Sequence, residues 1–192
     1  MPGESCVSPE QRRVRYSDRS DRAITVESMT VTKVGPPNVI AIEVAKTREA
    51  AEIGRRSGLF LVPRILEHDR DSGKVVFERL NGLEPCGFLE ARTARMPDLP
   101  ERLATVLAAI HAELRLPEPI QKLLPESFLI KGAKVVAIHG DFTGRNVLVR
   151  GEDGSLVIVD WSTTRRLGET STMGPGWFDV AWFVRHQFLR LG

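Results

Sequence analysis

Residues 139–161 read HGDFTGRNVLVRGEDGSLVIVDW, and this stretch decides the fold. Apolar side chains alternate in NVLVR (146–150) and again in LVIVDW (156–161), the period of a strand with one buried face. Between them, GEDG offers the glycines and acids of a hairpin loop, where unusual backbone angles must be met. If Arg150 pairs with Ser155, counting back along both strands puts Asn146 opposite Val159, next to Asp160. GDFTGR (140–145) is too polar and glycine-punctuated to continue a strand, so Asp141 lies in an irregular segment entering the same end. The spacing therefore predicts three oxygen-bearing side chains converging at the open end of one hairpin.

Any one of these residues alone reads as a turn or capping residue. Together they suit a hard divalent cation, because magnesium prefers oxygen ligands and is usually held by one or two carboxylates plus substrate phosphates. Asn146 and Asp160 are the candidate magnesium ligands. Asp141, kept off the metal, can accept a hydroxyl proton while charge on a transferring phosphoryl group is neutralised. The order D-x-x-x-x-N, hairpin, apolar strand ending in Asp-Trp is that of the catalytic aspartate, asparagine and metal-binding aspartate of kinases.

Upstream, AITVESMTVTKVG (23–35) is rich in β-branched residues and alternates, predicting one or two strands with a turn at Glu27-Ser28. NVIAIEVAKTREAAEIGRR (38–56) predicts a helix, with Ile42, Ala45, Glu49 and Ile53 on one stripe. Pro37 suits its first turn and Ser57-Gly58 its end; a competing strand reading of NVIAIEVAK rests on the alternation of Ile40, Ile42 and Val44. LFLVPRIL (59–66) and GKVVFERL (73–80), separated by the polar EHDRDS, predict an antiparallel pair, and NGLEP (81–85) a break. LPERLATVLAAIHAELRL (99–116) then predicts an amphipathic helix carrying Leu99, Leu103, Val106, Leu107, Ile110 and Leu114. Strands preceding helices imply an α+β, two-lobed architecture. Its expected parts are an N-terminal segment 1–22, a strand-rich lobe 23–82 and a helix-rich lobe 83–192, joined near Arg79–Leu83.

With HGDFTGRN and VDW in these positions, the chain resembles the aminoglycoside phosphotransferase family, the small-molecule branch of the protein-kinase-like fold. The resemblance implies that Asp141 is the catalytic base, that Asn146 and Asp160 bind magnesium, and that His139 supports the loop. VTKVGPP (31–37) is similar to the family's nucleotide-lysine strand, REAAEIGRRSGLFLVPRIL (48–66) to its glutamate helix and next strand, and FERLNG (77–82) to its interlobe hinge. LAAIHAEL (107–114) and FDVAWF (178–183) are similar to two of its helices. By this resemblance Lys33 contacts the α- and β-phosphates of ATP and Glu49 fixes it through an ion pair, with Lys46 and Glu52 as the substitutes if NVIAIEVAK is a strand. The same resemblance implies that Glu78 and Leu80 are hinge residues at the nucleotide and that Asp179 braces the backbone of the catalytic loop.

The chain has 192 residues, 42% hydrophobic and 27% charged, with a formal net charge of +2. That composition fits a globular protein and makes no case for nucleic acid or an acidic membrane surface. Arg12, Arg13, Arg15, Arg19 and Arg22 cluster early and read as a solvated segment. Cys6 and Cys86 lack metal-ligand spacing, and no signal-like or membrane-spanning run occurs, so a cytoplasmic protein is expected. The expected function is ATP- and magnesium-dependent phosphorylation of a hydroxyl on a small polar acceptor. A truncated or non-catalytic relative that binds nucleotide or a protein partner is the alternative.

Two departures from the family pattern bear on this. No GxGxxG precedes the lysine strand, where RYSDRSDR stands instead. The chain also ends a short helix after Asp179, whereas relatives continue into helices that build much of the acceptor pocket; the acceptor's identity and the choice of ATP or GTP stay open. Trp177, Phe178, Trp182, Phe183 and Phe188 are more aromatic surface than one helix face buries, which gives an expected partner or homodimer surface.

Overall fold

A computed structural model of the chain describes residues 14–16 and 22–188. Arg12, Arg13 and Arg19 of the basic cluster, and most of the segment RYSDRSDR, lie outside the described residues. The N-terminal part is a sheet of β1 (Val14–Tyr16), β2 (Ala23–Val26), β3 (Thr30–Val34), β4 (Ile65–Asp69) and β5 (Lys74–Glu78). Its order is β1-β2-β3-β5-β4, antiparallel throughout.

Between β3 and β4 runs helix α1 (Pro37–Ser57). Proline at the first helical position lacks only an N–H that the helix would leave unpaired anyway. At the other end Gly58 takes φ 68° and donates its N–H to the Gly54 carbonyl, the left-handed stop that glycine permits. The helical reading of NVIAIEVAK therefore holds.

The strand pair is displaced from its expected bounds. EHD, expected as turn, continues β4, and the turn is Arg70–Gly73. Pro63 cannot donate to a ladder, and Leu61 instead bridges Val157 far along the chain. The expected break NGLEP also contains a strand, β6 (Leu83–Pro85), followed by α2 (Leu89–Thr93) and α3 (Leu99–Glu113). Helix α3 buries Leu99, Leu103, Val106, Leu107 and Ile110, the expected stripe.

The remaining strands are β7 (Val135–Ala137), β8 (Val147–Arg150), β9 (Leu156–Ile158) and β10 (Met173–Pro175), and α4 (Trp177–Phe188) follows. β8 and β9 form the expected hairpin, with Val147 opposite Ile158. Arg150 N–H bonds the Ser155 carbonyl and Val159 N–H bonds that of Asn146, so Asn146 does face the residue before Asp160. β6 flanks the hairpin in a separate sheet of order β6-β8-β9, while β7 pairs with β10. On α4, Phe178, Trp182 and Phe183 are buried, while Trp177 and Phe188 are exposed. Among the described residues no helix is long and apolar enough to cross a membrane.

The architecture is thus α+β and two-lobed, a strand-rich part ahead of a helical part. The main core runs through both. It joins Ala50 and Ile53 of α1 to Phe60, the α3 stripe, Phe142, the hairpin's Val147 and Ile158, Trp161 and Phe183.

Helix α1 approaches this core at Gly54, where an added Cβ would lie 2.4 Å from the Phe60 carbonyl oxygen. Alanine in a helix interior ordinarily gains about 1 kcal/mol over glycine. Gly54→Ala is expected instead to lose about 1–3 kcal/mol through overpacking, measured by urea unfolding; a stabilised variant would contradict this close approach.

Candidate active site

The loop between β7 and β8 is held from beneath by α4. Asp179, in its first turn and 0% exposed, accepts the His139 N–H on Oδ2 at 2.8 Å and the Gly140 N–H on Oδ1 at 2.9 Å. His111 of α3 lies 2.9 Å from Oδ2. Burial works to raise the Asp179 pKa, but the His111 hydrogen bond and the loop amide outweigh it and hold the carboxyl below its usual range.

His139 is fully buried, between Phe142 and Trp161. Its Nδ1 accepts the Asp141 N–H at 3.2 Å, and its Nε2 lies 3.2 Å from the Val159 carbonyl. These partners place the ring proton on Nε2. Burial, helped by the nearby Lys46 cation, pushes the imidazole down to about 4. The ring thus ties the loop to the strand that leads to Asp160.

Asp141 is gripped at both oxygens. Trp182 of α4 donates its indole N–H to Oδ1 at 2.8 Å, and Asn146 donates Nδ2 to Oδ2 at 3.1 Å and to the Asp141 carbonyl at 2.9 Å. Burial raises the Asp141 pKa, against the Trp182 hydrogen bond that lowers it.

Asp160 follows β9 with φ 58°, the one non-glycine residue with positive φ among those described, a conformation that costs on the order of 1–3 kcal/mol. Its Oδ1 accepts from Lys33 Nζ at 2.9 Å and from Ser162 Oγ at 2.8 Å. Burial would raise its pKa, but the Lys33 charge and hydrogen bond carry it down to about 2. Lys33, on β3, is itself raised: the charges of Asp160 and Glu43 overcome the burial that would lower it.

The second acid on Lys33 is Glu43, at 2.5 Å, and the expected partner Glu49 is a correction. Glu43 is 1% exposed, whereas Glu49 faces solvent. Helix α1 is buried around Glu43, Thr47, Ala50 and Gly54, spaced four, three and four apart as one helical face requires. The stripe Ile42, Ala45, Glu49 lies toward the edge of that face. The substitute pair fails as well: Glu52 bonds Arg55 at the surface, and Lys46 is buried with Nζ 2.6 Å from the His139 carbonyl. The signal for Glu43 was its place between Ile42 and Val44, a charge embedded in an apolar run.

Two cavities meet at Lys33, Glu43 and Asp160. The larger, about 470 Å³, is lined on the sheet side by Val31 and Phe77 and also by Glu78, Leu80, Asn146 and Leu148. The Glu78 carboxylate is already taken by the N–H and Nε of Arg64 at 2.8 and 2.9 Å. The smaller, about 350 Å³, is lined by Asp141, Arg145, Ser162 and Thr163.

Asn146 and Asp160 both border the larger cavity, and each keeps an oxygen, Oδ1 and Oδ2, that no donor among the described residues approaches. Among the described residues no three His, Cys, Asp or Glu side chains are grouped so that they could hold a metal ion by themselves. One carboxylate and one amide oxygen fit a cation whose remaining ligands come from phosphates and water, and do not fit a metal held by protein alone. The residues missed by sequence reasoning are Glu43, Ser162 and Trp182; a serine two residues after Asp160 and a tryptophan three after Asp179 carry no distinctive spacing.

The sequence profile of the phosphotransferase enzyme family matches residues 43–190. No curated protein matches the chain. Among solved structures, a choline/ethanolamine kinase family protein from Mesorhizobium loti is similar at a TM-score of 0.65 and 18% identity, covering 93% of this chain. This chain spans 65% of that protein's length. A choline kinase from Streptococcus pneumoniae, also solved with AMP, gives 0.59 and 16%, over 95% of this chain and 70% of its own. An aminoglycoside phosphotransferase from Streptomyces rimosus, also solved with ADP and streptomycin, gives 0.58 and 12%, over 91% and 77%.

Trp182→Phe removes the indole N–H and keeps the ring. Carboxyl carbon resonances of labelled aspartate are expected to show Asp141 titrating at a higher pH in this variant than in the wild type, because a hydrogen bond to the ionised form is lost; an unchanged midpoint would contradict the contact. His139 bears on stability. Its folded pKa of about 4 lies below the ordinary histidine value of 6.5, so the unfolded chain binds the proton first. Its stabilising contribution is present above pH 6.5 and is lost as pH falls toward 4, on the order of 3 kcal/mol in all. Urea unfolding of His139→Asn across that window is expected to show a shallower loss than the wild type, and parallel curves would refute it.

Proposed function

The chain belongs to the phosphotransferase enzyme family, and we propose from that premise that it moves the γ-phosphoryl group of ATP to a hydroxyl of a small polar molecule. The observation carrying this reading is the meeting of the two cavities at Lys33 and Asp160, with Asn146 on one side and Asp141 on the other. The larger cavity suits a nucleotide. Val31, Phe77, Leu80 and Leu148 offer an apolar slot for a base, and Lys33, kept charged by two acids, projects where phosphates would follow.

In this reading the acceptor hydroxyl lies against Asp141 in the smaller cavity. Asp141 takes its proton as the acceptor oxygen bonds to the γ-phosphorus and the bond to the β–γ bridging oxygen breaks, releasing ADP. Trp182 and Asn146 fix the carboxylate so that one rotamer meets the hydroxyl. The raised Asp141 pKa makes it a better proton acceptor than an ordinary aspartate. Asp160 and Asn146 are the residues that would hold a magnesium ion at the larger cavity, where it would supply positive charge against the transferring phosphoryl group. Ser162 and Lys33 turn the Asp160 carboxylate toward that position.

Similarity to a choline kinase and to an aminoglycoside phosphotransferase makes amino alcohols and aminoglycosides the first acceptors to screen. In that screen the wild type is expected to turn over with MgATP. Asp141→Asn should lose about a hundred- to ten-thousandfold in rate while MgATP still raises its melting temperature, since binding to the folded form alone stabilises it. Turnover retained in Asp141→Asn would remove the base assignment; a wild type that binds MgATP yet phosphorylates nothing would favour a nucleotide-binding relative without catalysis.

A further inference from the structure

Helix α1 belongs to both lobes. Its first half packs Ile40 and Val44 on Val75 and Phe77 of the sheet, and its second half places Ala50 and Ile53 in the core with Phe60, Phe142 and Trp161. Lys46 sits where the helix crosses from one to the other. It is 0% exposed, and its Nζ donates to the His139 carbonyl at 2.6 Å, across 93 residues of chain. An ammonium taken out of water is costly unless acceptors and anions surround it, and the acids acting on this one are Asp179, Glu43, Asp160 and Asp141. Filling the space does not require a charge, because methionine has a similar length and none. Nor does phosphoryl transfer as proposed use this lysine, since Lys33 faces the nucleotide cavity.

The His139 peptide unit at the start of the catalytic loop is consequently gripped from two sides. Asp179 of α4 takes its N–H and Lys46 of α1 donates to its carbonyl. Glu43, one turn earlier on the same face of α1, holds Lys33. We propose that Lys46 is a positioning residue that locks α1 to the catalytic loop, so that the Glu43–Lys33 pair and Asp141 keep one relation with or without nucleotide. An outward swing of α1 would break the Glu43 and Lys46 contacts together and leave the ammonium without its acceptor. The helix is therefore a fixed strut between the lobes. The consequence for nucleotide binding rests on the phosphotransferase reading; the lock itself does not.

Amide hydrogen exchange on the ligand-free wild type, Lys46→Met and Lys46→Gln tests the lock. In Lys46→Met, exchange at His139–Asp141 is expected to rise about tenfold or more while the interior of α3 keeps its wild-type rates. Calorimetry should show MgATP binding weakened roughly fivefold or more in the same variant. Unchanged loop exchange overturns the proposal. So does a rise of equal size in the loop and in α3, which marks general loss of stability. If the methionine variant does not fold, Lys46→Gln, which retains an N–H donor on a shorter stem, carries the same comparison against α3. A wild type that fails to bind MgATP defeats the nucleotide reading, and the exchange measurement still decides the lock.

Discussion

The ion pair between Lys33 and Asp160 is the interaction on which the rest of the site depends. A carboxylate removed from water keeps its charge only beside a cation or several donors, and the lobe junction gathers Glu43, Asp141, Asp160 and Asp179. Lys33 reaches Asp160 across 127 residues of chain, from β3 to the end of the β8–β9 hairpin. It therefore fastens the sheet to the loop at the point where both cavities meet. The same contact engages Oδ1 of Asp160 and leaves Oδ2 without a donor among the described residues. Such pairs add little net stability, because desolvation opposes the Coulomb gain. What the pair supplies here is register between two lobes.

Three aspartates near that pair are set apart by their surroundings rather than by their chemistry. Lys33 keeps Asp160 ionised down to about pH 2. Burial lifts Asp141, which suits proton acceptance, while Trp182 and Asn146 limit the rise and fix its rotamer. Asp179 spends both oxygens on the loop backbone and on His111, so no lone carboxylate is presented to either cavity. Surroundings of this kind push the pKa values of neighbouring acids apart, as sites that use several carboxylates in different roles require.

The hairpin was legible because strand periodicity and loop length leave a single register that buries Val147, Val149, Leu156 and Ile158 together. Helix α3 was legible for a similar reason, its five buried positions lying on one narrow stripe. Helix α1 misled. It is buried on so broad an arc that apolar residues do not mark its centre, and the centre is occupied by Glu43, Lys46 and Thr47. A periodicity argument turned Glu49 inward because it shares a stripe with Ile42, Ala45 and Ile53, whereas Glu49 faces solvent. β4 was misplaced because LFLV reads as strand by composition, whereas Leu61 finds its partner in β9 and Pro63 ends any local ladder.

Sequence by itself determined the convergence of Asp141, Asn146 and Asp160, since a hairpin of fixed register and the residues leading into it need no distant information. It also determined the order of strands before helices, and with it the architecture. Only the tertiary structure decided which acid meets Lys33, that Lys46 turns inward to the His139 carbonyl, and that Trp182 caps Asp141. Those contacts join residues separated by 10, 93 and 41 positions. Such pairings depend on how helices rotate and dock, and no local periodicity encodes the angle at which a helix broadly buried on both lobes finally comes to rest.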